Sequence, residues 1–126
     1  MMTDAIAGLR ILIVEDEAII AMMAEDMLLE LGGDVVGIET SLAAALARAG
    51  TGDFDIALLD MNLNGENSLP VAEKLRALGR PFVFTTGYGD AGRPGGFDRA
   101  PLVCKPYRTS DLAQAIIAAM AGQPAG

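Results

Sequence analysis

Short apolar runs alternate along the chain with stretches of helical periodicity, and several of the runs end on a polar or acidic residue. Arg10–Val14 (RILIV) is an uninterrupted β-branched run that stops at Glu15, Asp16 and Glu17. Such a run predicts a strand buried on both faces. The following segment places Ile20, Met23, Met27 and Leu31, with Ala24 and Leu28, on one helical face. These positions predict a first helix with its methionines in the core, stopped by Gly32 and Gly33. Asp34–Ile38 predicts a second strand. Ser41 is a candidate N-cap for an alanine-rich second helix. Asp55–Asp60 (DIALLD) predicts a third strand that again ends on an acid. A loop then leads to a helix over Pro70–Leu78, with Pro70 in the tolerated first turn. Pro81–Thr86 (PFVFTT) predicts a fourth strand and Leu102–Cys104 a fifth. Thr109–Met120 predicts a last helix, with Leu112, Ile116 and Met120 four apart.

Strands alternating with helices predict a parallel sheet covered on both faces. Five such units in 126 residues predict one α/β domain of the flavodoxin-like, doubly wound (βα)5 kind. Its expected strand order is 2-1-3-4-5, with a core over about residues 9–121. The stretch Gly87–Pro101 breaks the pattern. It holds five glycines and two prolines in fifteen residues, so the fourth helix is expected to be short or disordered. The last residues, AGQPAG, predict a frayed tail.

In a sheet of this kind the site lies beyond the carboxyl ends of the strands. The residues at those ends are Glu15 and Asp16, Asp60, Thr86 and Lys105. Three carboxylates brought together repel one another unless a cation intervenes. The chain has no histidine, so its metal chemistry rests on oxygen ligands, which suit Mg²⁺, with Mn²⁺ or Ca²⁺ as alternatives. A lysine and a hydroxyl beside such a cation suit phosphoryl transfer to a carboxylate. Flavin or nucleotide phosphate is disfavoured, because Glu-Asp-Glu stands where a phosphate loop would need N–H donors and glycines.

Composition narrows the classes further. The net charge is −8, which argues against nucleic acid and anionic membrane surfaces as partners. No apolar run reaches the length of a membrane span, and no signal peptide is read at the start. The single cysteine, Cys104, is expected to be a small buried hydrophobe, and a cytoplasmic location is expected.

RILIVEDE, LLD, FTTGYG and CKPY, in that order, resemble the receiver domain of response regulators in bacterial two-component systems. The resemblance runs over about residues 10–120. Phe84-Thr85-Thr86-Gly87-Tyr88 resembles the motif of a subgroup marked by Phe-Ala-Thr-Gly-Tyr. The resemblance implies that Asp60 accepts the phosphoryl group, and that Glu15, Asp16, Asp60 and the backbone carbonyl of Asn62 hold Mg²⁺. It implies that Thr86 and Lys105 bind phosphoryl oxygens and that the Lys105–Pro106 peptide bond is cis. Thr85 is the neighbour that competes with Thr86 for the hydroxyl role. Two positions depart from the pattern. Leu102 stands where many receivers carry a switching aromatic, and Tyr88 is either a packed loop aromatic or a substitute switch element.

The implied function is a stand-alone receiver. It would be phosphorylated by a sensor histidine kinase or a histidine phosphotransfer protein, and would signal by binding a downstream protein or serve as a phosphate sink. It would not be an enzyme beyond assisting its own phosphorylation and dephosphorylation, and it would be a monomer or weak homodimer. The alternatives are a small Mg²⁺-dependent phosphohydrolase with an aspartyl-phosphate intermediate, and a degenerate receiver that works without phosphorylation.

Overall fold

The structure is a computed structural model, and it describes residues 6–87, 96–97 and 99–122. Arg10–Val14 forms β1, Asp34–Glu39 β2, Ile56–Asp60 β3, Phe82–Thr86 β6 and Leu102–Cys104 β7. These five make one parallel sheet in the order β2-β1-β3-β6-β7. This is the order expected from the sequence, with β6 and β7 as its fourth and fifth strands. The helices are α1 (Ala18–Glu30), α2 (Leu42–Ala49), α3 (Leu69–Ala77) and α4 (Thr109–Ala121). The expectation about a helix between β6 and β7, and that about Tyr88, fall on residues 88–95 and 98, outside the described residues.

Strand alternation divides the core into two layers. Ile11, Ile13, Leu58, Val83 and Val103 face α1 and α4, against Ala24, Leu28, Leu112 and Ile116. Leu12, Val14, Leu59 and Phe84 face α2 and α3, against Ala45, Val71, Ala72 and Leu75. Ser41 caps α2 as expected, its Oγ accepting from Ala44 N at 3.2 Å. The glycine stop of α1 also holds. Gly32 takes φ +87°, and Gly33 N donates to Leu28 O at 2.9 Å, the closure of a helix by a left-handed residue.

Three expectations are corrected. The first helix buries Ala21, Ala24 and Leu28, while Met23 is 49% exposed and Met22 60%. Periodicity found the buried face. Ala24, Leu28 and Leu31 are buried as expected and Met27 packs half-buried against the core, but Met23 lies at the edge of that face and stays exposed. Cys104 is exposed, because β7 is an edge strand. The stretch after Asp60 is not a plain loop. Asn62–Leu63 (β4) and Glu66–Asn67 (β5) form a small antiparallel hairpin, turning through Asn64 (φ 53°) and Gly65 (φ 85°). An Asn-Gly pair with both residues at positive φ is the preferred two-residue hairpin turn, so the signal was present in the sequence.

Candidate functional site

The carboxyl ends of β1, β3, β6 and β7 meet at one rim, at the point where the strand order reverses around β1. Glu15 and Asp60 are buried there, 3% and 5% exposed. Asp16 is half-buried. One carboxylate oxygen from each of Glu15, Asp16 and Asp60 can be chosen so that all three lie within 4.8 Å of one another. Lys105, from the end of β7, reaches across. Its Nζ lies 2.7 Å from Glu15 Oε1 and 2.8 Å from Asp60 Oδ2. Its backbone N donates to Thr86 O at 2.7 Å, which ties the lysine to the end of β6. The Lys105–Pro106 bond is cis.

One ammonium cannot neutralise two buried carboxylates. Burial pushes the Glu15 carboxyl up to about 7, and the charge of Asp60 adds to this against hydrogen bonds from Lys105 and Glu17. Burial opposes the charge of Lys105, but its hydrogen bonds to Asp60 and Glu15 prevail and raise it above the ordinary lysine value. The site thus carries surplus negative charge that a divalent cation would neutralise.

A stability prediction follows from the Glu15 shift. Between pH 4.5 and about 7 the folded state holds a proton that the unfolded chain has released, so stability falls as pH rises through that window. The loss is about 2–3 kcal/mol. Asp55, held low by hydrogen bonds from Arg10, titrates below the window. Urea unfolding in chelator should show the decline in the wild type and a flatter profile in Glu15→Gln. Equal slopes would contradict the assignment.

The hairpin closes the rim. Ser68 N donates to Met61 O at 3.1 Å, making Met61 and Ser68 a hydrogen-bonded pair. Antiparallel pairs alternate, so Asn62 and Asn67, the next pair, are non-bonded and the polar groups of Asn62 turn outward. Its N–H donates to Asp60 Oδ1 at 3.2 Å. Asn64 N, at the turn, donates to Asp16 Oδ2 at 3.2 Å. This contact was not anticipated from sequence.

Thr85 and Thr86 are both buried. Thr85 is in register with Asp60 and Thr86 with Cys104. Among the described residues, a Cβ added to Gly87 would meet nothing within 4 Å. Leu102, half-buried, pairs with Phe84 in the sheet and packs in the α2–α3 layer. The aromatic near it is Phe97, whose ring centroid lies 5.8 Å from those of both Phe82 and Phe84, with the Arg76 guanidinium 4.1 Å from its centre. Phe97 is the one phenylalanine of the glycine-rich stretch, the only signal that could have singled it out.

Residues 11–117 match the family model described as "Response regulator receiver domain". The chain is similar to the solution structure of SdrG from Sphingomonas melonis Fr1. Identity is 45%, covering 92% of this chain and 98% of that one, with a TM-score of 0.80. It is similar at 45% identity to the BeF3-activated conformation of SdrG from Pseudomonas melonis Fr1, over 89% and 96% of the two chains, with a TM-score of 0.75. The receiver domain of PhyR from Erythrobacter litoralis matches at 28% identity, over 97% of each chain, with a TM-score of 0.76. No curated protein matches. The fold and the rim define a phosphorylation-based signalling module of two-component systems. The chain belongs to the response regulator receiver family. Among the described residues, no helix is long and apolar enough to cross a membrane.

Proposed function

We propose that this protein is a stand-alone receiver, residues 1–126 forming a single domain, that accepts a phosphoryl group on Asp60 in a Mg²⁺-dependent reaction. The observation that carries the reading is the Lys105 ammonium held between Glu15 and Asp60, with an Asp16 oxygen in the same cluster. An Asp60 oxygen attacks the phosphorus of a phosphohistidine on a sensor kinase or phosphotransfer protein. The phosphorus–nitrogen bond breaks, and its electron pair leaves with the imidazole. Lys105 pairs with one phosphoryl oxygen, and the Thr86 hydroxyl binds another. Glu15, Asp16, Asp60 and the Asn62 carbonyl suit a hard divalent cation. When bound, Mg²⁺ would neutralise charge developing on the phosphoryl oxygens. The motif from Phe84 to Tyr88 places the chain in the Phe-Ala-Thr-Gly-Tyr subgroup on this reading. Its output is binding to a downstream protein in the cytoplasm or service as a phosphate sink, and it performs no separate catalysis.

The test is to incubate the protein with acetyl phosphate and Mg²⁺ and weigh it intact. A gain of one phosphoryl mass, lost when Mg²⁺ is chelated, is expected. No gain would favour the phosphorylation-independent receiver, and sustained hydrolysis of many phosphate esters would favour the phosphohydrolase.

The phosphodonor is expected to dock on α1. Ile19, Met22 and Met23 are large, exposed and contiguous on this helix. Beside them a groove of about 270 Å³ runs between Ile20, Met23 and Met27 and the Lys105–Tyr107 segment. An apolar patch at the edge of the site marks a protein contact. Met22→Asp should slow transfer from a phosphorylated donor protein by about tenfold or more while leaving the acetyl phosphate reaction unchanged. Equal transfer rates from the donor protein would move the docking surface elsewhere.

A further inference from the structure

We propose that a second site, at the opposite end of β6 from the acid cluster, binds a small organic anion: an anionic group carried on an apolar body. β6 runs from Phe82 to Thr86, so its two ends lie about 13 Å apart. At the Phe82 end a cavity of about 470 Å³ opens between the C-terminal end of α3, residues 96–97 and 99–101, and the last turns of α4. This volume lies within the range of small-molecule pockets. Phe82, Phe97 and Ala119 give it an apolar floor, and Arg76, Arg80 and Arg99 line it.

The charge is out of place in this molecule. The chain has 17 acids against 9 lysines and arginines, yet three arginines share this one cavity, and no described acid lines it. Among the described residues, none of the three forms an ion pair. Arg76 gives one hydrogen bond to Gly96 O at 2.7 Å, and Arg80 gives one to Phe54 O at 2.8 Å. A guanidinium has five N–H donors, so most of theirs remain to be used. The Nε of Arg80 is buried and has no acceptor among the described residues. Carboxylates, sulfonates and phosphates match such donors in geometry and charge. The phenylalanine floor adds a requirement that a bare inorganic anion does not meet. The site is independent of phosphorylation at Asp60, and its test uses no phosphoryl donor.

The probe is naphthalenesulfonate, titrated into the whole isotope-labelled protein while amide chemical shifts are followed. Saturable shifts are expected at Gly79, Phe82, Phe97 and Ala119. Neutral naphthalenemethanol and inorganic sulfate, which each lack one half of the chemistry, should bind at least about tenfold more weakly. Arg99→Glu removes an exposed cation, and Ala118→Glu adds a carboxylate at an exposed position of α4 beside the cavity. Each should weaken naphthalenesulfonate by at least about tenfold while the rest of the spectrum superimposes on the wild type. The proposal is overturned if the neutral analogue or sulfate binds as tightly. It is equally overturned if the shifts fall on the groove of Met23 and Tyr107, or if both variants bind like the wild type.

Discussion

Asp60→Asn is expected to take up no phosphoryl group from acetyl phosphate and to be more stable than the wild type when divalent cations are chelated. The first effect is complete, because the amide has no anionic oxygen to attack phosphorus. The second follows from the charges at the rim. In the wild type two buried carboxylates share the Lys105 ammonium, and burial, with the charge of Asp60 adding to it, keeps the Glu15 carboxyl up at about 7. The amide leaves Glu15 and Lys105 as a balanced pair. The gain should be about 1–2 kcal/mol above pH 7 and should shrink toward pH 5, where the wild-type Glu15 is itself neutral. Its sign is fixed by that titration: the raised carboxyl costs stability once the unfolded chain has released its proton above pH 4.5, and the cost is complete above about 7. The decline of stability with pH should therefore be shallower in the variant. Burial, the larger cause of the Glu15 shift, persists. Intact mass and urea unfolding across pH check the two parts separately. A variant that still gains mass would remove Asp60 as acceptor. One that is less stable at pH 8 would mean the carboxylates are not in conflict.

The sheet was legible in the sequence because each of its strands is a short run with its own period, and because the site residues stand where those runs end. Arg10–Val14, Asp55–Asp60 and Leu102–Cys104 needed no tertiary information to be read. Their parallel order then carried Glu15, Asp60 and Lys105 to one rim. What sequence did not decide was where a buried apolar face ends. α1 offers Ile19, Ile20, Met22, Met23, Met27 and Leu28 around much of its circumference. Close packing on the sheet sets the edge of the buried face, which no periodicity count weighs. Met23, the one position of the expected face that is exposed, joins Met22 in the surface proposed for the phosphodonor. The same limit applies at Cys104, where an edge strand exposes a residue that an interior strand would bury.

The hairpin after Asp60 had a local signal, yet its contact with Asp16 depends on two loops meeting. Asn64 and Asp16 are 48 positions apart, and nothing near either one indicates the other. A similar substitution occurs beside Leu102. Leu102 lacks the expected ring, but Phe97 puts one against Phe84, the strand partner of Leu102. The aromatic contact with β6 therefore comes from the connection preceding β7, not from β7 itself.

Lys105→Ala is expected to slow phosphorylation by acetyl phosphate by about 10²–10³-fold, and its effects on stability and Mg²⁺ affinity should have opposite signs. The ammonium is the only cation in contact with Glu15 and Asp60 among the described residues, and it is tied to β6 through Thr86. On the proposed function, removing it takes away a donor that would stabilise charge on the transferred phosphoryl group. It also leaves two buried carboxylates unpaired, which should cost about 3 kcal/mol in chelator at neutral pH. Part of that loss should return as pH falls and Glu15 protonates. On the proposed function Mg²⁺ and the ammonium would compete for the same Asp60 carboxylate, so the variant should bind Mg²⁺ more tightly and recover more stability from it than the wild type does. Thermal unfolding with and without Mg²⁺, alongside the rate of mass gain, measures both signs. A variant that loses Mg²⁺ affinity together with its rate would mean that Lys105 organises the carboxylates instead of competing for them.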